Sequence, residues 1–310
     1  MLIILLCFVL VLGYGGYRGY QYVEQIIAEA PDINEIDATP SGYMSTVLDA
    51  KGNVTAQLVG TGSNRVYVTL DEIPEEIARR ARYMVVSYPA NPICRTAPES
   101  FYRDLIAFAK KYEIIILHDN AYSDIIYDGR RGGSFLEYEG AKEVGIEFYS
   151  LSKSFNYTGA RLSFAVGNRA VIQKFKALRT QFDYGIFLPV QYGAIAALTG
   201  PFDGVKEQCR NYEERNRTLC GGLRSIGWNV PDSEGTMFVW APLPEGYTNS
   251  ADFCMELMEK SGVICVPGSS FGTLGEGYVR MALVLPPEKL KEAVESIRMS
   301  GILHRQEGTK

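Results

Sequence analysis

Lys153 is the residue of this chain whose setting most suggests covalent chemistry. It follows Ser150 and Ser152 at the end of the apolar-rich run 146–150, and Arg161 comes after a turn softened by Gly159. A lysine at the carboxyl end of a buried strand is partly desolvated, which favours the free amine as a Schiff-base nucleophile. Hydroxyls and a guanidinium close by suit a phosphate dianion. Taken alone, a Ser-x-Ser-Lys run is equally compatible with a solvated lysine in a loop.

Four further residues sit in comparable settings. Asp119 closes the apolar run 114–117, where a buried carboxylate would be costly unless it met a cation; a helix cap or turn former is the other reading. Tyr122 lies three positions beyond it. Asn91, within Tyr88-Pro89-Ala90-Asn91-Pro92, reads either as a polar ligand or as turn chemistry, since Asn-Pro commonly opens a loop. Arg280 lies inside the strand-like run 278–283 and follows the loop Pro267-Gly268-Ser269-Ser270-Phe271-Gly272. It is a carboxylate clamp or a solvated edge residue.

Together, in this order, these residues resemble the class I/II pyridoxal-phosphate aminotransferases over about 74–305, most closely the subgroup around aspartate and LL-diaminopimelate aminotransferases. The resemblance implies a homodimeric, cytoplasmic enzyme that moves an amino group between an amino acid and a 2-oxo acid. Lys153 would be the catalytic lysine that carries pyridoxal 5'-phosphate. Asp119 would face the pyridine nitrogen, Asn91 and Tyr122 the ring's phenolic oxygen, and Ser150, Ser152 and Arg161 the phosphate. Arg280 would hold the substrate carboxylate. Two positions depart from the family pattern: Ile93-Cys94-Arg95 stands where Thr-Gly is common, and Ala160 replaces a frequent tryptophan.

The elements needed to position these residues follow a doubly wound α/β plan, in which ligands lie beyond the carboxyl ends of the strands. A short helix over 75–81 precedes an apolar strand over 83–88 of the kind buried on both faces of a parallel sheet. Thr96-Ala97-Pro98-Glu99 has capping-box spacing before a helix presenting Phe101, Leu105, Phe108 and Tyr112. After Arg161 come a strand over 162–167 and a helix with Val171, Ile172, Phe175 and Leu178 on one face. A long helix over about 204–224 leads to a second unit with strands near 235–240, 263–266 and 278–283. The last helix buries Leu290, Ala293, Val294 and Ile297. The expected fold is thus the fold type I pyridoxal-phosphate transferase: α/β, with a mostly parallel sheet in a large domain over 75–203 and a smaller α+β domain over 204–310.

The amino-terminal quarter reads differently. Residues 2–12 are wholly apolar, and no charge interrupts the run before Arg18. That is shorter than the roughly 20 residues of a spanning helix, though Tyr14, Tyr17, Tyr20 and Tyr22 suit an interfacial belt. Residues 1–23 therefore read as a membrane anchor, a signal segment or a buried element. Residues 24–74 include a hairpin about Asp49–Asn53 and, with the apolar start, resemble the anchor and stub of class A penicillin-binding proteins. The acidic motif that would carry glycosyl transfer does not follow. Leu70-Asp71-Glu72-Ile73-Pro74 reads as a junction, so a chimera is expected, with the large domain incomplete where the family carries a glycine-rich phosphate-binding segment. Weak cofactor binding is the corresponding expectation. The alternative reading is a membrane-anchored envelope protein with a non-catalytic passenger domain.

Composition narrows the field. With 310 residues, 46% hydrophobic and 22% charged, the chain is globular and large enough for two domains. A net charge of −5 with scattered Lys and Arg gives no basic face for nucleic acid. Six cysteines without close paired spacing and only His118 and His304 argue against zinc and for free thiols in a reducing compartment.

Overall fold

The computed structural model describes Arg18, Gln21 and residues 45–48, 54–58, 70–130 and 132–304. The chain forms two compact units, residues 1–60 and 61–310. In the first, strands β1 (Ser45–Leu48) and β2 (Val54–Leu58) pair antiparallel, with Ser45 opposite Leu58, which is the hairpin expected about Asp49–Asn53. The expected anchor over 2–23 lies outside the described residues except for Arg18 and Gln21. Among the described residues no helix is long and apolar enough to cross a membrane.

The second unit begins with α1 (Glu75–Arg80), β3 (Tyr83–Ser87), α2 (Glu99–Tyr112) and β4 (Ile115–Asp119). It continues through α3 (Ala141–Val144), β5 (Gly145–Ser150), α4 (Leu151–Ser154) and β6 (Ser163–Gly167). The four strands form one sheet in the order β3-β4-β5-β6. Pairs β3/β4 and β4/β5 are parallel, with Ser87 opposite Asp119 and Asp119 opposite Phe148; β6 returns antiparallel, with Ser150 opposite Ser163. This is the mostly parallel fold type I sheet that the sequence led us to expect.

Alternation along the strands decides what each face does. Met84, Val86 and Ile116 face α2, whose Tyr102, Leu105, Ile106 and Ala109 form a core with Phe135 and Ala141. His118 and Glu147, opposite each other on β4 and β5, share a buried polar knot: His118 Nδ1 lies 3.0 Å from Glu147 Oε2, and Ser134 Oγ and the Phe135 N–H also donate to the carboxylate. Burial alone would raise the Glu147 pKa. The hydrogen bonds from His118, Asn120 and Ser134 outweigh it and hold the group below the ordinary carboxylate range.

Three expectations are corrected. The strand at 83–87 is not buried on both faces: among the described residues it is the sheet edge, and Tyr83 and Val85 are each 64% exposed. The capping box does not form. Pro98 precedes α2 with no side-chain cap, because the Thr96 hydroxyl is drawn 2.6 Å from Glu234 Oε2 instead. Helix α5 (Arg169–Arg179) buries none of its residues, so its apolar face of Phe175 and Leu178 is open.

Helices α6 (Leu188–Thr199) and α7 (Asp203–Ser225) lead to a second sheet of β7 (Phe238–Pro242), β8 (Val266–Pro267) and β9 (Tyr278–Ala282), in the order β7-β9-β8. The expected strand at 263–266 is thus reduced to two residues. Helices α8 (Ser250–Ser261) and α9 (Pro287–Ser300) complete the unit. Its core packs Tyr212, Leu219 and Leu223 of α7 against Leu290, Val294 and Ile297 of α9, with Trp228, Phe253 and Val279. Tyr122, Ile125 and Tyr127, just beyond β4, belong to the same cluster, so the core is continuous from the end of one sheet to the other.

Candidate active site

The parallel register of β4 and β5 places Asp119 and Ser150 at the same end of the sheet, and the α4 turn then carries Lys153 over that end. Leu151 is fully buried and anchors the turn, while Ser150 caps it by accepting from the Ser152 N–H at 3.2 Å. The Lys153 carbonyl accepts from Gln208 Nε2 of α7 at 2.6 Å. Behind the turn, Asp124 accepts from both Tyr149 Oη and Ser154 Oγ. The lysine is half-buried, and its ammonium lies 6.0 Å from the centre of the Tyr122 ring.

Tyr122 is buried at 7% exposure. Burial pushes its hydroxyl pKa up to about 12; Arg280 pulls it down and Asp119 pushes it further up. At neutral pH the phenol therefore stays a hydrogen-bond donor. Asp119 differs from expectation: β4 lies inside the sheet, yet the carboxylate at its end is exposed and accepts a 3.3 Å bond from the Ala121 N–H. It opens on a cavity of about 390 Å³ lined by Val85, Leu117, Phe148, Tyr149, Ser150 and Ser163. Arg161 enters β6 two residues before Ser163, its guanidinium donating to the Thr158 carbonyl at 3.1 Å. The strand pairing of Ser150 with Ser163 brings it to the same sheet end.

Arg280 comes from β9, the centre of the second sheet. Its guanidinium lies 4.2 Å from the centre of the Phe238 ring and 4.6 Å from that of Phe271. It donates to Asn91 Oδ1 at 2.9 Å. Desolvation lowers its pKa, and Tyr122 and Cys94 counteract that. The Phe271 side is set by a close approach in the preceding loop: a Cβ on Gly268 would fall 1.9 Å from the Gly275 carbonyl oxygen. Arg280 is held between two rings on the central strand of its sheet and bound to Asn91 in the turn that follows β3. The structure thus joins Arg280 to Asn91, sets Lys153 beside Tyr122, and places Asp119, Ser150 and Arg161 around one sheet end.

Sequence reading missed the parts that hold this arrangement. Phe238 and Phe271 carry no signal of their own, because only the β7/β9 pairing and the folded 268–271 turn bring them to Arg280. Glu234 is the larger omission. Its carboxylate accepts from Arg95 NH1 at 2.9 Å and from the Thr96 N–H at 2.8 Å, and its backbone N–H donates to the Cys94 carbonyl at 2.9 Å. The segment just after Asn91 is thereby tied to the irregular segment that leads into β7.

The family described as Aminotransferase class I and II matches residues 43–297. The LL-diaminopimelate aminotransferase of Halothermothrix orenii is 46% identical over 84% of this chain and 66% of its own length. That of Moorella thermoacetica is 41% identical over 92% of this chain and 73% of its own length. The chain thus spans about two thirds of the length of these curated relatives. Among solved structures, substrate-bound BacF from Bacillus subtilis superposes with a TM-score of 0.72 at 36% identity, over 74% of this chain and 59% of that one. A probable N-succinyldiaminopimelate aminotransferase from Thermus thermophilus gives 0.70 at 34%, over 74% and 62%. The family match begins inside the segment expected to be a penicillin-binding-protein-like stub, so the likeness is not confined to residues after Pro74.

Burial alone would raise the pKa of Glu234, but its bonds from Thr96 and Arg95 bring it down to about 2 from an ordinary 4.5. A depressed carboxylate contributes stability that is complete above its unfolded pKa and is lost as pH falls toward its folded one. Glu234→Gln should therefore cost on the order of 1–3 kcal/mol at neutral pH and flatten the fall in stability between about pH 4.5 and 2. Urea titrations at several pH values would check this, and parallel acid limbs for the two proteins would contradict it.

Proposed function

The chain belongs to the class I and II aminotransferase family, and on that premise we propose that it transfers an amino group between an amino acid and a 2-oxo acid, using pyridoxal phosphate. The observation that carries this reading is the meeting of Arg280 with Asn91 beside Tyr122, at the sheet end where Asp119 and Lys153 emerge. The residues present suit the cofactor. The cavity beside Asp119 has an apolar floor of Val85, Leu117 and Phe148 and a polar edge of Asp119, Ser150 and Ser163, at the sheet end from which the Lys153 turn emerges.

When bound, pyridoxal phosphate supplies an electron sink for negative charge at the substrate α-carbon. Asp119 would hold a proton on the pyridine nitrogen by its negative charge. Tyr122 would donate its hydroxyl to the ring's phenolic oxygen. Because Asn91 Oδ1 accepts from Arg280, only the Asn91 amide N–H groups are left for that oxygen. Ser150, Ser152 and Arg161 would hold the phosphate. Lys153 would be the amine that holds the cofactor, and as a free amine it would accept and return the substrate α-proton. Arg280 binds the substrate carboxylate through its fork, oriented by the two phenylalanine rings.

The names of the relatives support a dicarboxylic diamino acid of the LL-diaminopimelate kind as amino donor. A homodimer is supported by α6: it is apolar nearly throughout, yet only Ala194 is buried, and Phe182, Phe187 and Tyr192 beside or on it are 78%, 73% and 67% exposed. That exposed apolar stretch is what an obligate interface looks like before assembly. A cytoplasmic location is in keeping with this chemistry. The apolar run 2–12 supports a separate proposal, an amino-terminal membrane anchor, which membrane fractionation decides. A family match reaching back to residue 43 weighs against a chimeric junction at 70–74.

With pyridoxal phosphate, LL-diaminopimelate and 2-oxoglutarate, the chain should form glutamate, and no glutamate above the cofactor-only background would count against the reading. Arg280→Lys keeps the charge but loses the fork and the stacking. It should raise the KM for the amino donor about 10- to 100-fold, the equivalent of roughly 1.5–3 kcal/mol, and leave cofactor affinity within about twofold. Equal loss of both would refute its role. Sedimentation equilibrium should give twice the chain mass, shifting to the single-chain mass in Tyr192→Glu; a monomeric wild type would contradict the dimer.

A further inference from the structure

Five cysteines are described, and their partners divide them. Cys94 Sγ approaches the Pro92 carbonyl and the Thr236 hydroxyl, Cys209 the Ile126 carbonyl, and Cys220 the Asn216 and Pro231 oxygens. Cys254 and Cys265 instead face each other, with Sγ atoms 3.3 Å apart and both residues 8% exposed. Cys254 lies on α8 and Cys265 immediately precedes β8, so the pair bridges a helix and a strand rather than neighbouring positions of one element.

We propose that Cys254 and Cys265 form a reversible disulfide by exchange with a low-molecular-weight disulfide such as oxidised glutathione. Both are free thiols in this structure. Bringing the sulfurs from 3.3 Å to a disulfide length of about 2.05 Å is an approach that side-chain rotation can supply. The segment between them passes through a surface turn, where Gly262 caps α8 with φ at 72° and Ile264 is 78% exposed.

The Cys254 thiolate attacks one sulfur of the small disulfide, forming a mixed disulfide and releasing one thiolate. The Cys265 thiolate then attacks Cys254 Sγ, expelling the second. Two electrons pass from the protein to the small disulfide, which leaves as two thiols carrying the two protons. Cys254 leads because the Cys265 S–H favours its thiolate, while that same contact and burial push Cys265 up. The closed bridge ties α8 to β8, whose Val266 is paired with Arg280 on β9. It fixes the strand beside the carboxylate clamp without using any residue of the site.

The test uses the whole chain, reduced, then equilibrated with glutathione buffers of graded ratio and trapped with an alkylating agent. Peptide mapping should find Cys254 joined to Cys265, reversibly with dithiothreitol, and thermal unfolding should shift upward in step with the bridge. Cys265→Ser should hold glutathione stably on Cys254, whereas Cys254→Ser should leave Cys265 mostly free. Alkylation of both cysteines in the wild type at every ratio would overturn the proposal. So would glutathione resting on either one without closure, or pairing that appears only after denaturation.

Discussion

The parallel pairing of β4 with β5 is the constraint on which the rest of this molecule depends. It sets Asp119 opposite Phe148, two residues short of Ser150, so that a carboxylate and the lysine-bearing turn leave the sheet together. A one-residue slip would reverse every side chain on one strand. What resists such a slip is the buried contact of His118 with Glu147, closed by Ser134 and the Phe135 N–H. Leaving that carboxylate in the core without His118 would be costly, so the register that pairs them is strongly preferred. Asp119, the next residue along, is then turned to the opposite face.

The second sheet makes the other half of the site, and it is tied to the first by few but well-defined bonds. Arg280 reaches Asn91, and Glu234 gathers Arg95 and Thr96. Around Arg280 the two phenylalanine rings replace water with polarizable faces, so the guanidinium keeps its orientation while its remaining N–H groups stay available. Continuous packing from Tyr122 and Ile125 through to Trp228 and Val279 gives those bonds a rigid base.

Much of this was legible in the chain itself. Lys153, Asp119, Tyr122, Asn91 and Arg280 each stand in short runs whose types and order restrict the chemistry, and strand periodicity located the strands that carry them. What could not be read depends on long-range contact. Thr96 has capping-box spacing, yet a carboxylate distant in sequence, Glu234, wins its hydroxyl. The strand 83–87 has the apolar character of a buried one, but whether a strand is central or at an edge depends on its neighbours in space rather than its composition. Asp119, expected to be buried, is exposed although it ends an interior strand, because the face and end it lies on depend on what packs there in space. Phe238 and Phe271 became visible only when β7 and the 268–271 turn were brought to β9.

Borohydride reduction of the chain incubated with pyridoxal phosphate tests most directly whether Lys153 is the amine that holds the cofactor. Peptide mapping should find one stoichiometric pyridoxyl group on Lys153, with saturation at low cofactor excess. A pyridoxyl group spread over surface lysines, with Lys153 unmodified, would contradict the account.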